Sequence, residues 1–222
     1  MSSLENFIGE IKTELMAKNK IREETHEAMR KATSLSKQAI LRIHQKRLDE
    51  AEKLVANAKD LISNLQKHTD TYPDIIYGGM MSAAQQEYAE ANILLTLVKE
   101  DRFIAPADAK VPSIDYVLGL ADVIGEYRRI ALDALRYGEV EKGVQCLEIM
   151  DEIFIQLQAL DEAYMLVPGL RHKSDTARRI IEATRGDITL EVRRKSLEDY
   201  LKKFIPPEAK TKPESKRAKA KQ

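Results

Sequence analysis

Between Gly9 and Pro73 the chain carries no glycine and no proline. A stretch of that length without either residue is comfortable only as helix, because loops and tight turns keep calling on the φ freedom of glycine or the fixed φ of proline. One polar interruption, Ala32-Thr33-Ser34-Leu35-Ser36, is the expected break between two helices. After it Leu48, Ala51, Leu54, Val55, Ala58, Leu61, Ile62 and Leu65 recur at three-and-four spacing, the stripe of an amphipathic helix. A helix of 30 residues would be about 45 Å long, more than a small globule covers. Helices of that length belong to bundles and to subunit contacts.

The rest of the chain reads the same way. Tyr72-Pro73-Asp74 and Gly78-Gly79 mark a turn, and Ser82 followed by Gln85 reads as a capping box opening a helix to about Glu100. Pro106 and Pro112 bracket a connector, after which Ser113 is placed to cap a helix from 114 to 137, stopped by Gly138. A further helix is expected from 139 to 166, ended by Pro168-Gly169, and a last one from 171 to 204 with an interruption at Gly186-Asp187. The expected fold class is therefore all-α, a bundle of six or seven helices without strands. Residues 1–205 read as a single domain, and 206–222, with three prolines and six basic residues, as a disordered basic tail.

Composition agrees with packed helices. Of 222 residues 43% are hydrophobic, 32% charged and 5% aromatic, without tryptophan. A single cysteine, Cys146, excludes an intramolecular disulfide and a thiolate zinc site; with a charged N-terminus and no long apolar run, it leads to an expected cytoplasmic location without a membrane span. Cys146 itself reads as a small core residue. No glycine-rich phosphate loop is present, so a nucleotide-driven motor is not indicated, and no serine, cysteine or histidine nucleophile has a supporting constellation. The 36 basic residues balance 36 acidic ones, yet residues 11–47 hold ten Lys and Arg against four Glu. Lys18, Lys20 and Arg22 in that stretch are candidate phosphate contacts, of the kind that position a strand without reading its sequence.

The sharpest anomaly is acid where a core belongs. In the segment 114–129 apolar residues Ile114, Val117, Leu118, Leu120, Ala121, Val123 and Ile124 lie nearly all round the helix, which predicts burial on most sides. Asp122 and Glu126 are four apart and share a face, with Gly119 about one turn earlier on that side. Glu87 and Glu90, three apart, form a second pair leading into the apolar run 91–98. Like charges at these spacings repel and are costly to desolvate, so a cation, a basic side chain or a raised pKa must answer them. Four carboxylates offer only hard oxygen donors, which favours Mg²⁺ or Mn²⁺ over zinc or copper. Arg129, three past Glu126, is placed to meet either a substrate phosphate or the acids themselves. Tyr88 and Tyr127 flank the acids and read as core, and Glu148, Asp151 and Glu152 as surface.

These residues carry a resemblance. The segment 115–129, DYVLGLADVIGEYRR, resembles the signature of the translin and Trax family, and QEYAEA at 86–91 resembles the acidic motif of its Trax branch. IREE at 21–24 is similar to the family's first helix, and the helices from 136 to 200 fit its order. The resemblance implies a seven-helix subunit that assembles with others, typically into a hollow octamer, and binds single-stranded RNA or DNA. It also implies that Glu87, Glu90, Asp122 and Glu126 form the divalent-metal endoribonuclease site of the Trax branch, in a compact, prokaryotic-type member able to assemble with copies of itself. The basic, histidine-rich motif of translin is not evident around 75–86.

The chemistry then expected is phosphodiester hydrolysis with Mg²⁺ or Mn²⁺, leaving a 5′-phosphate and a 3′-hydroxyl. The alternative is a non-catalytic, single-strand-binding scaffold of translin type. A di-iron carboxylate bundle needs two Glu-x-x-His motifs, and only Glu23 to His26 fits.

Overall fold

A computed structural model describes residues 3–66, 73 and 79–204, which form helices and short connections with no strand among them. Helix α1 spans Ser3–His44, α2 Leu48–Gln66, α3 Gly79–Glu100, α4 Pro106–Ala109, α5 Ser113–Arg136, α6 Val140–Gln158 and α7 Leu170–Lys202, with a 3-10 turn at Asp161–Leu166 before α7. The all-α bundle expected from the sequence is thus what the described residues form. None of their helices is long and apolar enough to cross a membrane. The expected turn around Pro73 and the basic tail at 206–222 lie outside the described residues, apart from Pro73 and Gly79 themselves.

Several boundaries differ from the sequence reading, each for a local reason. Helix α1 passes unbroken through 32–36. Ser36 Oγ donates to the Ala32 carbonyl at 3.0 Å, and Ser34 Oγ accepts from Gln38 Nε2 at 3.1 Å, so hydroxyls that compete with an isolated helix are satisfied inside this one. The turn comes instead at Lys46, a non-glycine residue at φ 60, closed by Arg47 N–H donating to the Arg42 carbonyl at 2.9 Å. Helix α3 begins at Gly79, so Ser82 lies inside it rather than capping it. Helix α5 begins as expected, but the Pro112 carbonyl takes the Tyr116 N–H at 2.9 Å and no side chain caps the end; Gly138, at φ 77, takes the chain out of it. Helix α6 stops at Gln158, and the expected extension to 166 tightens into the 3-10 turn. Helix α7 runs straight through Gly186-Asp187: Asp187 accepts from Arg128 at 3.2 Å, a tertiary contact in place of a fresh cap.

The core centres on α3, whose residues 84–97 are all buried except Gln86 and Glu87. Helices α1 and α2 pack on α3, α5 packs beside it, and α6 and α7 pack on α5. Fully buried Met29 of α1, Tyr88, Ile93 and Leu94 of α3, Ile124 of α5, Met150 and Ile153 of α6 and Leu170 of α7 join in one core. Helix α5 is less enclosed than its composition predicts: Ile114 is exposed and Val117 and Leu120 are half-buried. Helix α1 has no buried residue before Thr25. Its first six turns contribute nothing to this core.

Candidate functional site

The site is built where α3 and α5 touch. A Cβ added to Gly119 would lie 2.7 Å from the Gln86 carbonyl oxygen, 2.8 Å from Ala89 Cβ and 2.9 Å from Glu90 N, so only glycine lets the two backbones meet here. A turn earlier the register is pinned by polar contacts. Ser82 Oγ donates to the buried Asp115 carboxylate, and Gln86 Nε2 reaches Ser82 Oγ at 3.0 Å and Asp115 Oδ1 at 3.3 Å. Contacts therefore advance together along both helices, from 82 and 115 through 86 and 119. The next turns of the same faces carry Glu87 and Glu90 on α3 and Asp122 and Glu126 on α5.

The four acids form one electrostatic unit around Glu90. That side chain is buried, with 9% of its surface exposed. Its pKa is pushed up from 4.5 to about 8, first by burial and then by the charges of Asp122, Glu126 and Glu87, with Lys173 opposing. Each of the other three acids meets a base from a different part of the chain. Lys37 Nζ of α1 lies 3.1 Å from Glu87 Oε1. His44 at the end of α1, its side chain only 5% exposed, contacts Glu126 Oε2 through Nε2. Lys173 of α7 donates to Asp122 Oδ2. These three bases are the site residues that sequence reasoning missed. Only Glu90 is buried, the other three acids being half-buried; acids paired beside an apolar run called for a counter-charge, but nothing in the spacing of the chain says which distant base supplies it.

Several expectations resolve here. Tyr88 and Tyr127 are buried, and Tyr88 Oη accepts from Asn92 Nδ2 at 3.0 Å, so both serve the core. Cys146 is buried as well, which raises its thiol pKa to about 11. Arg129 is exposed and forms no ion pair among the described residues; its neighbour Arg128 makes the tertiary bonds, to Thr184 Oγ1 at 2.7 Å and to Asp187. Lys18, Lys20 and Arg22 lie on the unpacked half of α1, where Lys20 is 4.0 Å from Glu24 and Arg22 is exposed. Arg22 is 15 positions before Lys37, about 22 Å along the helix, so these bases stand well away from the acids.

As to a cation, the donor set is chemically suited to one. Four carboxylates lie together, burial first and then the neighbouring charges raise the pKa of Glu90, and Lys37, His44 and Lys173 partner the other three. In the arrangement present no group of three His, Cys, Asp or Glu side chains among the described residues is set to hold a metal ion. The acids are turned to their bases.

A model of the translin family matches residues 20–183, most of the chain. The chain belongs to the translin family. This family member is 31% identical over 194 residues to uncharacterized protein MJ0175 of Methanocaldococcus jannaschii, covering 85% of this chain and 84% of that one. It is similar to the crystal structure of AfC3PO, with a TM-score of 0.75 and 30% identity over 83% of this chain and 96% of that chain. The structure of an AfC3PO and duplex RNA complex matches at the same TM-score, with 29% identity over 83% of this chain and 95% of that chain. Apo-NeC3PO shares the fold, with a TM-score of 0.73 and 22% identity over 86% of this chain and 98% of that chain. The two acidic motifs and the Gly119 contact all fall within the span matched by the translin family.

Proposed function

We propose that this translin-family protein is a divalent-metal-dependent endoribonuclease, acting on single-stranded RNA to leave 5′-phosphate and 3′-hydroxyl ends, and working as an assembly of copies of itself. The observation that carries the reading is the convergence of Glu87, Asp122 and Glu126 on a buried Glu90 whose pKa their charges help to raise. Such a concentration of hard, repelling oxygens is costly to a protein that has no use for it and suits a site for a hard dication. RNA as the substrate class is supported by the similarity to AfC3PO, which has been solved with duplex RNA.

Glu87, Glu90, Asp122 and Glu126 would hold Mg²⁺ or Mn²⁺. When bound, the cation supplies Lewis-acid polarisation of the scissile phosphate and a lowered pKa for water. The protein's own groups do the rest. Glu90, protonated below about pH 8 in the metal-free site, would release its proton to solvent on becoming a ligand. Lys37 and Lys173 hold the acids' charge in the meantime; Lys37, with 62% of its side chain exposed, is free to turn to a strand phosphate once released. His44, almost fully enclosed, keeps Glu126 in place throughout. Arg129, exposed on the same helix, and Lys18, Lys20 and Arg22 further along α1 supply phosphate contacts that guide the strand, RNA or single-stranded DNA, without reading its sequence. With water rather than the ribose 2′-hydroxyl as nucleophile, no 2′,3′-cyclic phosphate forms.

One observation favours the second reading, a binding scaffold without catalysis: Glu87, Asp122 and Glu126 already have basic partners, and a salt-bridged cluster is a stable end in itself. Cleavage of end-labelled RNA, single-stranded and duplex, with Mg²⁺, Mn²⁺ or EDTA separates the two. The nuclease reading expects metal-dependent cutting that Glu126→Ala abolishes while RNA binding survives. Tight binding without cutting under either metal gives the scaffold.

A further inference from the structure

The first half of α1 shows an apolar stripe that no other described helix covers. Leu4, Phe7, Ile8, Ile11 and Leu15 are each half or more exposed, although a solvated helix has no need of five large apolar side chains on one side. Their order is regular: 4, 8, 11 and 15 follow the four-three-four spacing of a coiled-coil seam. The same phase, carried forward through Lys18 and Arg22, lands on Thr25, Met29, Ala32, Ser36, Ala39 and Ile43, which are the buried residues where α1 packs on α2 and α3. One face of α1 is thus a single seam, half used within the subunit and half bare. The used half carries small Thr25, Ala32, Ser36 and Ala39 between Met29 and Ile43, and the bare half carries only Leu and Ile at the seam positions. The translin-family match begins only at residue 20, beyond the bare part.

We propose that this bare seam pairs, antiparallel, with the same seam of a second copy of the chain. Antiparallel alignment sets Leu4 against the partner's Leu15 and Ile8 against the partner's Ile11, a self-complementary two-fold contact. It also sets Glu5 beside the partner's Lys12, twice along one flank, opposite charges at positions that fix orientation in coiled coils, with Phe7 beside the partner's Glu14 on the other flank. A parallel pair instead places Phe7 beside Lys12. Burying about 100 Å² from each of the five side chains removes about 500 Å² per arm and about 1,000 Å² per pair, the size at which a specific interface begins. The arm pair is therefore a linkage of moderate strength that gains from other contacts between the same subunits. It gives the proposed self-assembly a defined contact surface; it is independent of whether the acidic cluster cuts RNA.

The test is the solution mass of the full chain by light scattering, beside a variant carrying Ile8→Glu, Ile11→Glu and Leu15→Glu. All three positions lie outside the core, so the thermal unfolding of the body should be unchanged, which guards against mere misfolding. The expected result is a loss of at least half the mass in the variant. Orientation is read by cross-linking: Leu4→Cys chains mixed with Leu15→Cys chains should form disulfide-linked dimers, and Leu4→Cys chains alone should not. An unchanged mass overturns the proposal and leaves self-assembly through other surfaces standing. A wild-type chain that stays monomeric overturns both. A fall in mass without the mixed cross-link also overturns the arm pair, and points to another surface such as the exposed Leu197, Leu201 and Phe204 at the end of α7.

Discussion

Glu90 is where the electrostatic cost of the cluster concentrates. In the unfolded chain its pKa lies near 4.5, and in the folded, metal-free protein near 8. The folded state therefore binds a proton that the unfolded state has lost throughout that window, and stability falls as pH rises from 4.5 to 8 before levelling off. Replacing Glu90 by Gln removes that cost. In the absence of metal, Glu90→Gln should leave stability unchanged near pH 4 and raise it by a few kcal/mol at most above pH 8, each tenfold change in proton affinity being worth about 1.4 kcal/mol. Denaturant unfolding at both pH values checks this, and a variant no more stable than wild type above pH 8 would show that burial and the neighbouring charges together do not raise the Glu90 pKa. His44 makes the opposite case. Enclosed and bonded to Glu126, it cannot be removed without leaving a gap and a carboxylate short of a partner, so His44→Ala should cost about 2 kcal/mol in the same assay.

At the scale of elements the site depends on one close approach. Because a methyl group on Gly119 would meet backbone atoms of Gln86 and Glu90 and not the end of a flexible side chain, Gly119→Ala has to push α3 and α5 apart. It should lose about 2 kcal/mol of stability and weaken metal binding with it. Gly125 lies on the same helix with nothing within 4 Å of its missing Cβ; there alanine should be neutral or gain about 0.5 kcal/mol from helix propensity. Comparing the two variants by denaturant unfolding separates loss of the approach from loss of glycine in general. The helices themselves were legible where a signal is local. Gly138 and the Pro112-Ser113 step marked α5 almost to the residue, and i, i+3 and i, i+4 spacing put both acid pairs on faces. Reading failed where a tertiary partner reverses a local preference. Ser34 and Ser36 read as a break but bond within α1, and Asp187 reads as a cap but holds Arg128. Lys37, His44 and Lys173 were illegible because the residues they meet lie 50, 82 and 51 positions away.

For the whole molecule, the bundle acts as a frame that gathers Glu87, Asp122 and Glu126 around Glu90 while α1 and α7 bring a base to each of those three. Under the proposed function, that arrangement is a receptor for a divalent cation. Mn²⁺ should raise the melting temperature of the wild-type chain, and should do so less for Glu90→Gln, whose site has one donor fewer and less repulsion to relieve. The most direct measurement is calorimetric titration of Mn²⁺ into the metal-free protein, beside the Asp122→Asn and Glu90→Gln variants, with cleavage of labelled RNA followed on the same samples. The expected result is a site on each wild-type chain, binding at least tenfold weaker in both variants, and cleavage that falls in step. Variants that bind Mn²⁺ as well as wild type, or wild-type protein that cuts RNA in EDTA, would contradict it.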